Sequence, residues 1–300
     1  MTRERVVYVN GEIVPESKAK VSIGDFGFLY GDAVFDTTRS FGHRIFRLDQ
    51  HLDRLYDSLK YMRIDPGLEK KDMASLTNQI FETNVDLLEN DDDYWITQRI
   101  TRGVRGDLDK RPTLIIECYP LPFQERARLY REGISVAFSS VRRTPPQSMS
   151  PRVKMHNYVN MVQAELEVKA LNPDSWPILL DINGNLCEGN GSNIFLVKNG
   201  ALFTPKEQYV LAGISRAVVA ELADDLGIDV YEEDLDAYDA YTADEAFVTS
   251  TSFCICHISN INGVKIGNDS TPGPITARLQ QSYSDLVGID IVGQYLSYLK

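Results

Sequence analysis

The chain predicts an α+β fold in two domains, and three observations carry that expectation. Its 300 residues exceed the usual length of one domain. Strand-like and helix-like segments are mixed without the regular βαβ alternation of a doubly wound sheet. Prolines at 120, 122, 145, 146 and 151 punctuate the middle of the chain. The expected division is a smaller N-terminal α/β domain over 1–121, an interdomain linker over 122–132, and a larger C-terminal domain over 133–300. Apolar residues make up 43% and charged residues 25%, enough for a sizeable core. With 31 Lys and Arg against 43 Asp and Glu, the net charge is −12, which argues against nucleic-acid binding because phosphate contacts need a basic face. No apolar run reaches the roughly 18 residues that a membrane span needs. The segment Met1–Tyr8 is charged and lacks the apolar stretch of a secretory signal. Four cysteines in so long a chain form no disulfide framework, so a soluble cytoplasmic protein is expected.

Taken in order, residues 6–15 read as a hairpin around Asn10-Gly11, a pair that accepts positive φ. Residues 32–47 read as two strands turning at Phe41-Gly42-His43. Asp49 is placed to cap a helix on which Leu48, Leu52, Leu55, Leu59 and Met62 follow helical spacing. A helix over 69–88 and an acidic turn over Glu89–Asp93 precede strands at Tyr94–Thr101 and Thr113–Tyr119. Beyond the prolines come a strand at 133–141, a helix at about 157–171, and strands around 177–182 and 193–204. A helix at 215–226, strands near 229–231 and 245–250, and a last helix at 274–286 complete the chain.

Several local features carry chemistry, each beside a plainer reading. In Leu211-Ala-Gly-Ile-Ser-Arg216 a glycine turns the chain and Ser215 stands where an N-cap belongs. Free amides at such a start suit a phosphate, although a simply capped helix has the same appearance. No phosphate-binding Gly-x-x-x-x-Gly-Lys-Ser/Thr and no Gly-x-Gly-x-x-Gly after a strand is present, so ATP and dinucleotides find no support. Lys154 precedes an amphipathic helix, with Tyr158 one turn later. A lone lysine is ordinarily a solvated charge, whereas one in a partly desolvated pocket can do Schiff-base chemistry. Glu188 precedes a glycine-rich turn and the strand Ile194–Val197. Such a carboxylate is usually solvated, but at a strand end it can hold a ring nitrogen protonated. Cys254-Ile-Cys256-His257 looks like a metal cluster yet lacks the second ligand pair of a structural zinc site, and the cysteines read better as small apolar residues of a strand. Among Arg99, Arg102, Arg105, Arg111, Arg142 and Arg143, one or two could receive a substrate carboxylate as a fork.

Taken together, these pieces resemble the class IV (fold-type IV) pyridoxal-phosphate aminotransferases, from Val9-Asn-Gly-Glu12 to Gly273-Pro-Ile-Thr276. Tyr30-Gly-Asp-Ala-Val-Phe-Asp36 is similar to the family's substrate-pocket strand, and Phe46 to Leu55, with Arg54, to its phosphate-arginine helix. Lys154 with Asn157-Tyr158, Glu188-Gly-x-Gly-Ser-Asn193, Leu211-x-Gly-Ile-Ser-Arg216 and Phe247-Val-Thr-Ser-Thr251 follow in family order. The resemblance implies pyridoxal 5'-phosphate as cofactor and Lys154 as its Schiff-base lysine and proton shuttle. Glu188 would pair with the pyridine nitrogen and Tyr158 with the phenolic oxygen. Arg54, the amides of Ile214 and Ser215, and Thr251 would hold the phosphate, and Leu211 would lie against the ring. Tyr30, Phe35, Thr37, Arg99 and Ser252 would line the substrate pocket. The working unit would be a homodimer whose partner loop closes each pocket, with an amino donor and a 2-oxo acid as substrates.

Tyr30 and Phe35 fit the branched-chain group, although that group usually has Glu-Gly where this chain has Asp36-Thr37. Val141-Arg-Arg-Thr-Pro-Pro146 and Gly273–Thr276 are more similar to the (R)-selective amine transaminases, Thr249-Ser-Thr251 also occurs in the D-amino-acid group, and Thr37-Thr-Arg39 resembles aminodeoxychorismate lyase. A branched-chain-like donor is the leading expectation. A non-catalytic cofactor-binding protein is the alternative from another class, and the retained Lys154 argues against it.

Overall fold

The computed structural model describes residues 4–88, 92–107, 111–267 and 272–299. The chain divides into two compact units, residues 1–121 with 153–157, and residues 122–152 with 158–300.

The first unit starts with a hairpin of β1 (Val6–Val9) and β2 (Glu12–Pro15). Asn10 and Gly11, at φ 50° and 102°, make the tight turn that twisted strands prefer. A short helix α1 (Phe26–Tyr30) ends at Gly31, whose φ of 68° closes its last turn. Strands β3 (Ala33–Phe41) and β4 (Arg44–Ile45) follow, then helices α2 (Leu48–Met62) and α3 (Lys70–Val85), and strands β5 (Tyr94–Thr101) and β6 (Leu114–Pro120). Among the described residues the strands form one sheet in the order β2-β1-β6-β5-β3-β4. Helix α2 buries Leu52, Leu55 and Leu59 and packs on β3 and α3, each leucine contributing about 1.5–3 kcal/mol. Asp49 does not cap this helix. Arg47 takes the N-cap position in a left-handed conformation, with no side-chain cap, and Asp49 lies inside the first turn. Of the expected acidic turn, residues 89–91 lie outside the described residues.

The second unit opens with α4 (Phe123–Glu132) in the stretch expected to be a linker. Pro122 sits at its N-cap, and Phe123, Ala127 and Tyr130 bury one face, so the proline marks a helix start rather than a flexible tether. Then come β7 (Ile134–Phe138), α5 (Val159–Leu171), β8 (Ser175–Leu180), β9 (Leu186–Gly189), β10 (Ser192–Lys198) and β11 (Ala201–Pro205). The single strand expected over 193–204 is two, because Asn199 and Gly200 (φ 52° and 82°) reverse the chain. Helix α6 (Ile214–Asp225), β12 (Val230–Glu233), α7 (Ala237–Tyr241), β13 (Glu245–Ser250), β14 (Cys254–Ile261), β15 (Val264–Lys265), α8 (Pro274–Val287) and α9 (Ile291–Leu296) complete it.

The sheet of the second unit runs β12-β11-β10-β13-β14-β7-β8-β9, and β9 also pairs with β10. Among the described residues six strands, β10 to β9, close on themselves and leave no open edge in that ring. Helix α5 covers β8, and α6 and α8 pack on β13. Phe195 and Phe247 stack inside at 5.1 Å. No helix is long and apolar enough to cross a membrane among the described residues.

Candidate active site

In the first unit the segment 153–157 lies along β3. Lys154 C=O accepts from Phe35 N–H at 2.9 Å, Ala33 C=O accepts from His156 N–H at 3.0 Å, and the Lys154 amide donates to Ser58 Oγ at 3.3 Å. These bonds fix the half-buried Lys154 over Phe35, with Nζ 4.7 Å from the ring centroid. Alternation along β3 puts Phe35 and Thr37 on one face and Asp36 on the other. On the neighbouring β5, Arg99 stands opposite Phe35 and Thr97 opposite Thr37. The Arg99 guanidinium lies 5.3 Å from the Phe35 centroid, and its Nε donates to Glu117 at 2.7 Å. His156 packs edge-on against Phe35 at 5.2 Å. Thr37 and Thr97 hydroxyls meet at 3.0 Å. Arg99 and Lys154 thus come together around the Phe35 ring, with Thr37 next along the same strand face. Tyr30 does not join them on the strand: it ends α1, 62% exposed, because the left-handed Gly31 and Asp32 intervene before β3 begins.

Arg54 is not an uncommitted fork. Its Nε and one terminal nitrogen donate to the two oxygens of Asp36, both at 2.8 Å. Asp36 is fully buried and also accepts from His51 Nδ1 at 2.7 Å and from the Thr37 amide at 2.8 Å. Burial alone would raise the Asp36 pKa; the Arg54 charge and the His51 bond outweigh it and hold the carboxyl well below its ordinary range. Burial, opposed by Asp36 but reinforced by the charges of Arg54 and Lys154, lowers the pKa of His51.

In the second unit Glu188 lies near the end of β9, just before the glycine turn, and is 3% exposed rather than solvated. One oxygen accepts from Arg143 Nε at 2.7 Å and the other from the Leu211 amide at 3.0 Å. A carboxylate has about four lone-pair directions, so acceptor capacity remains after both bonds. Leu211 C=O in turn accepts from Asn193 Nδ2 at 3.0 Å. Helix α6 is N-capped by Gly213, not by Ser215, which lies in its first turn. A Cβ on Gly213 would meet Asn193 Oδ1 at 2.1 Å, so any larger residue here requires the Asn193 side chain to move. The first bond of the helix runs from the Ala217 amide to Gly213 C=O, which leaves the amides of Ile214 and Ser215 outside the helical ladder. Tyr158 sits at the N-cap of α5, half-buried against Met161, Ala164 and Leu179. Thr251 and Ser252 occupy the turn between β13 and β14, Thr251 half-buried and Ser252 5% exposed.

Arg102 forks onto Asp32, Arg111 lies 3.7 Å from Asp107, and the exposed Arg142 offers its carbonyl to Asn160. The Gly273–Thr276 motif is the start of α8, capped by the Glu245 carboxylate, which accepts from the amides of Ile275 and Thr276. Cys254, Cys256 and His257 are buried on β14, and neither ring nitrogen of His257 has a partner among the described residues. No group of three His, Cys, Asp or Glu side chains among the described residues is arranged to hold a metal ion. Sequence reasoning assigned no role to Asp36, His51, Glu117 and His156, and weighed Arg143 only as a fork for a substrate carboxylate, whereas its partner here is Glu188.

A family model described as Amino-transferase class IV matches residues 33–261. A putative branched-chain-amino-acid aminotransferase of Methanocaldococcus jannaschii is 41% identical over 287 residues, covering 93% of this chain and 96% of that relative. The crystal structure of the Escherichia coli branched-chain amino acid aminotransferase superposes with a TM-score of 0.86 at 28% identity, over 95% of each chain. The PLP form of the Thermobaculum terrenum branched-chain amino acid aminotransferase gives 0.83 at 26% identity, over 100% of this chain and 99% of that one. The fold-type IV architecture, the ordered motifs and the family match agree: the chain belongs to the class IV aminotransferases and is a pyridoxal-phosphate-dependent transaminase.

Proposed function

We propose that this transaminase moves the amino group of a branched-chain-like α-amino acid to a 2-oxo acid. The observation that carries the reading is the pairing of Arg99 with Phe35 on one sheet face beside Lys154. The aromatic ring offers apolar surface to an aliphatic side chain, and the guanidinium offers a fork to a carboxylate. An α-amino acid needs such a partner, whereas an amine donor does not. The similarity to proteins named branched-chain-amino-acid aminotransferases supports the same donor class.

The residues present suit a phosphorylated pyridine aldehyde. A lysine Nζ over an aromatic ring suits the aldehyde carbon, and a buried carboxylate with spare acceptor capacity suits a protonated ring nitrogen. Amides outside the helical ladder suit a phosphate. When bound, the cofactor supplies the electron sink of the reaction. In our assignment Lys154 Nζ binds the cofactor and carries the proton at the substrate Cα. Glu188, its plane fixed by Arg143 and the Leu211 amide, keeps the ring nitrogen protonated. Tyr158 donates to the phenolic oxygen, and Arg54, the Ile214 and Ser215 amides and Thr251 hold the phosphate. Leu211 packs on the ring, and Tyr30, Thr37 and Ser252 complete the substrate pocket with Phe35 and Arg99.

The working unit in this reading is a homodimer. Exposed Val159, Val162 and Leu166 follow one face of α5, a stripe that suits burial against a second copy. Sedimentation of a single monomeric species at micromolar concentration would remove that assignment. The four free cysteines suit the reducing cytoplasm; recovery of the protein outside that fraction of its cell would refute this placement.

The donor class is tested with Arg99→Leu. Loss of a charge-assisted fork costs on the order of 10–100-fold in affinity. The variant should lose about that factor in kcat/KM for L-leucine and keep its value for (R)-1-phenylethylamine, while the parent enzyme prefers L-leucine with 2-oxoglutarate as acceptor. Parent preference for the amine, or equal loss for both donors, overturns the reading.

A further inference from the structure

The turn that presents Thr251 is held from behind by two helices distant in sequence. Ser252 Oγ accepts from Arg126 of α4, and Ser252 C=O accepts from the Tyr295 hydroxyl of α9. Phe253 C=O accepts from the Tyr130 hydroxyl of α4. The Arg126 guanidinium also lies 4.4 Å from the Phe253 ring centroid. Inside the turn, the Phe253 amide donates to Ser250 Oγ at 3.1 Å, and Cys254 takes a left-handed φ of 54°. The two helices are locked together by Tyr130 stacked on Tyr295 at 4.3 Å, and Phe123 stacks at 5.2 Å on Tyr298, just past the end of α9. Tyr130, Tyr295, Ser252 and Phe253 are buried, whereas Thr251 at the tip is half-buried.

Polar bonds from two separate helices onto consecutive carbonyls and a hydroxyl of one turn are more than packing requires. Apolar contact alone would hold the helices, but the two hydroxyls are spent on the backbone beside Thr251 and the guanidinium on the Ser252 side chain. We propose that Arg126, Tyr130 and Tyr295 are positioning residues that fix the Thr251 turn for the cofactor phosphate, so that phosphate affinity depends on the C-terminal helix. The inference rests on the assignment of Thr251 to the phosphate and adds the elements that hold it in place.

The test compares two ligands that differ only in the phosphate. Apo-enzyme is titrated with pyridoxal 5'-phosphate and with pyridoxal, each followed by the absorbance of the lysine-bound form. Tyr295→Phe keeps the ring and removes one hydroxyl, and Arg126→Met removes the bond to Ser252 while keeping an apolar stem. Each should weaken pyridoxal 5'-phosphate about 3–10-fold and leave pyridoxal unchanged. A purely structural role would weaken both ligands together, and either that result or no change in either overturns the proposal. Thr251→Ala, run in parallel, separates the two layers. If it shows no phosphate-selective loss, the assignment of the turn fails and the clamp fails with it. If it does and the other two variants do not, only the clamp fails.

Discussion

Asp36 shows how much of this site depends on one buried charge. Its carboxylate receives Arg54 through two 2.8 Å bonds and His51 through one of 2.7 Å, with no exposure to solvent. Burying an ion pair gains little on balance, but removing one partner strands the other in a medium that cannot solvate it. The pair therefore works less as a source of stability than as a device that sets where the Arg54 guanidinium can go. Asp36→Ala should destabilise the apo-protein by about 3–5 kcal/mol in urea unfolding at pH 7. Asp36→Ala with Arg54→Leu should recover a substantial part of that loss, since no unpaired cation remains. A single-variant cost below about 1 kcal/mol would show that water reaches Arg54, and the positioning role would be lost with it.

At the scale of elements, the crossing of Gly213 over Asn193 links the start of α6 to Glu188. Asn193 bonds the Leu211 carbonyl, the Leu211 amide bonds Glu188, and Gly213 caps the helix two residues on. The Gly213 backbone is ordinary at φ −68°, so the cost of alanine comes from proximity to the Asn193 side chain and not from conformation. Gly213→Ala should displace Asn193 and cost about 1–3 kcal/mol of stability. It should also weaken cofactor binding, with partial recovery when Asn193→Ala is added. Wild-type melting and affinity in the single variant would mean that the loop yields without consequence. How much of this could be read beforehand depended on the range of the interaction. The Asn10-Gly11 hairpin and the leucine stripe of α2 are local patterns, and the structure has them. Helix α4 was hidden because Pro122 and the charges Glu125, Arg126, Arg128, Arg131 and Glu132 gave its segment the look of a tether, while its buried face is only Phe123, Ala127, Leu129 and Tyr130. Lys154 and Glu188 stood out only as members of an ordered set. Arg126 gives no local signal and Arg143 reads only as one arginine of a series, because their partners lie 126 and 45 residues away.

For the whole molecule, the buried histidines set the response to acid. Burial lowers the pKa of His51, His156 and His257 together; for His156 the Arg99 charge adds to burial, Asp25 opposes both, and the value falls to about 4. An imidazole of this kind takes up its proton in the unfolded chain, near pH 6.5, before it does in the native one. The unfolded state thus binds more protons in that interval, and stability falls as pH drops from about 6.5. The depressed carboxyl of Asp36 works in the same direction but only below about pH 4, where unfolded carboxylates begin to protonate. The window from pH 6.5 to 5 therefore belongs chiefly to the imidazoles. Each pH unit is worth about 1.4 kcal/mol per fully shifted group, so His156 alone should cost about 2 kcal/mol across that window. Urea midpoints of the apo-protein at fixed concentration, taken at half-unit steps from pH 7.5 to 5, should decline steeply below 6.5. His156→Gln should flatten the decline by about one proton's worth of slope, whatever it does to stability at pH 7.5. An unchanged slope in that variant would mean that His156 titrates alike in both states, and that the face shared by Arg99, Phe35 and Lys154 is wetter than its burial implies.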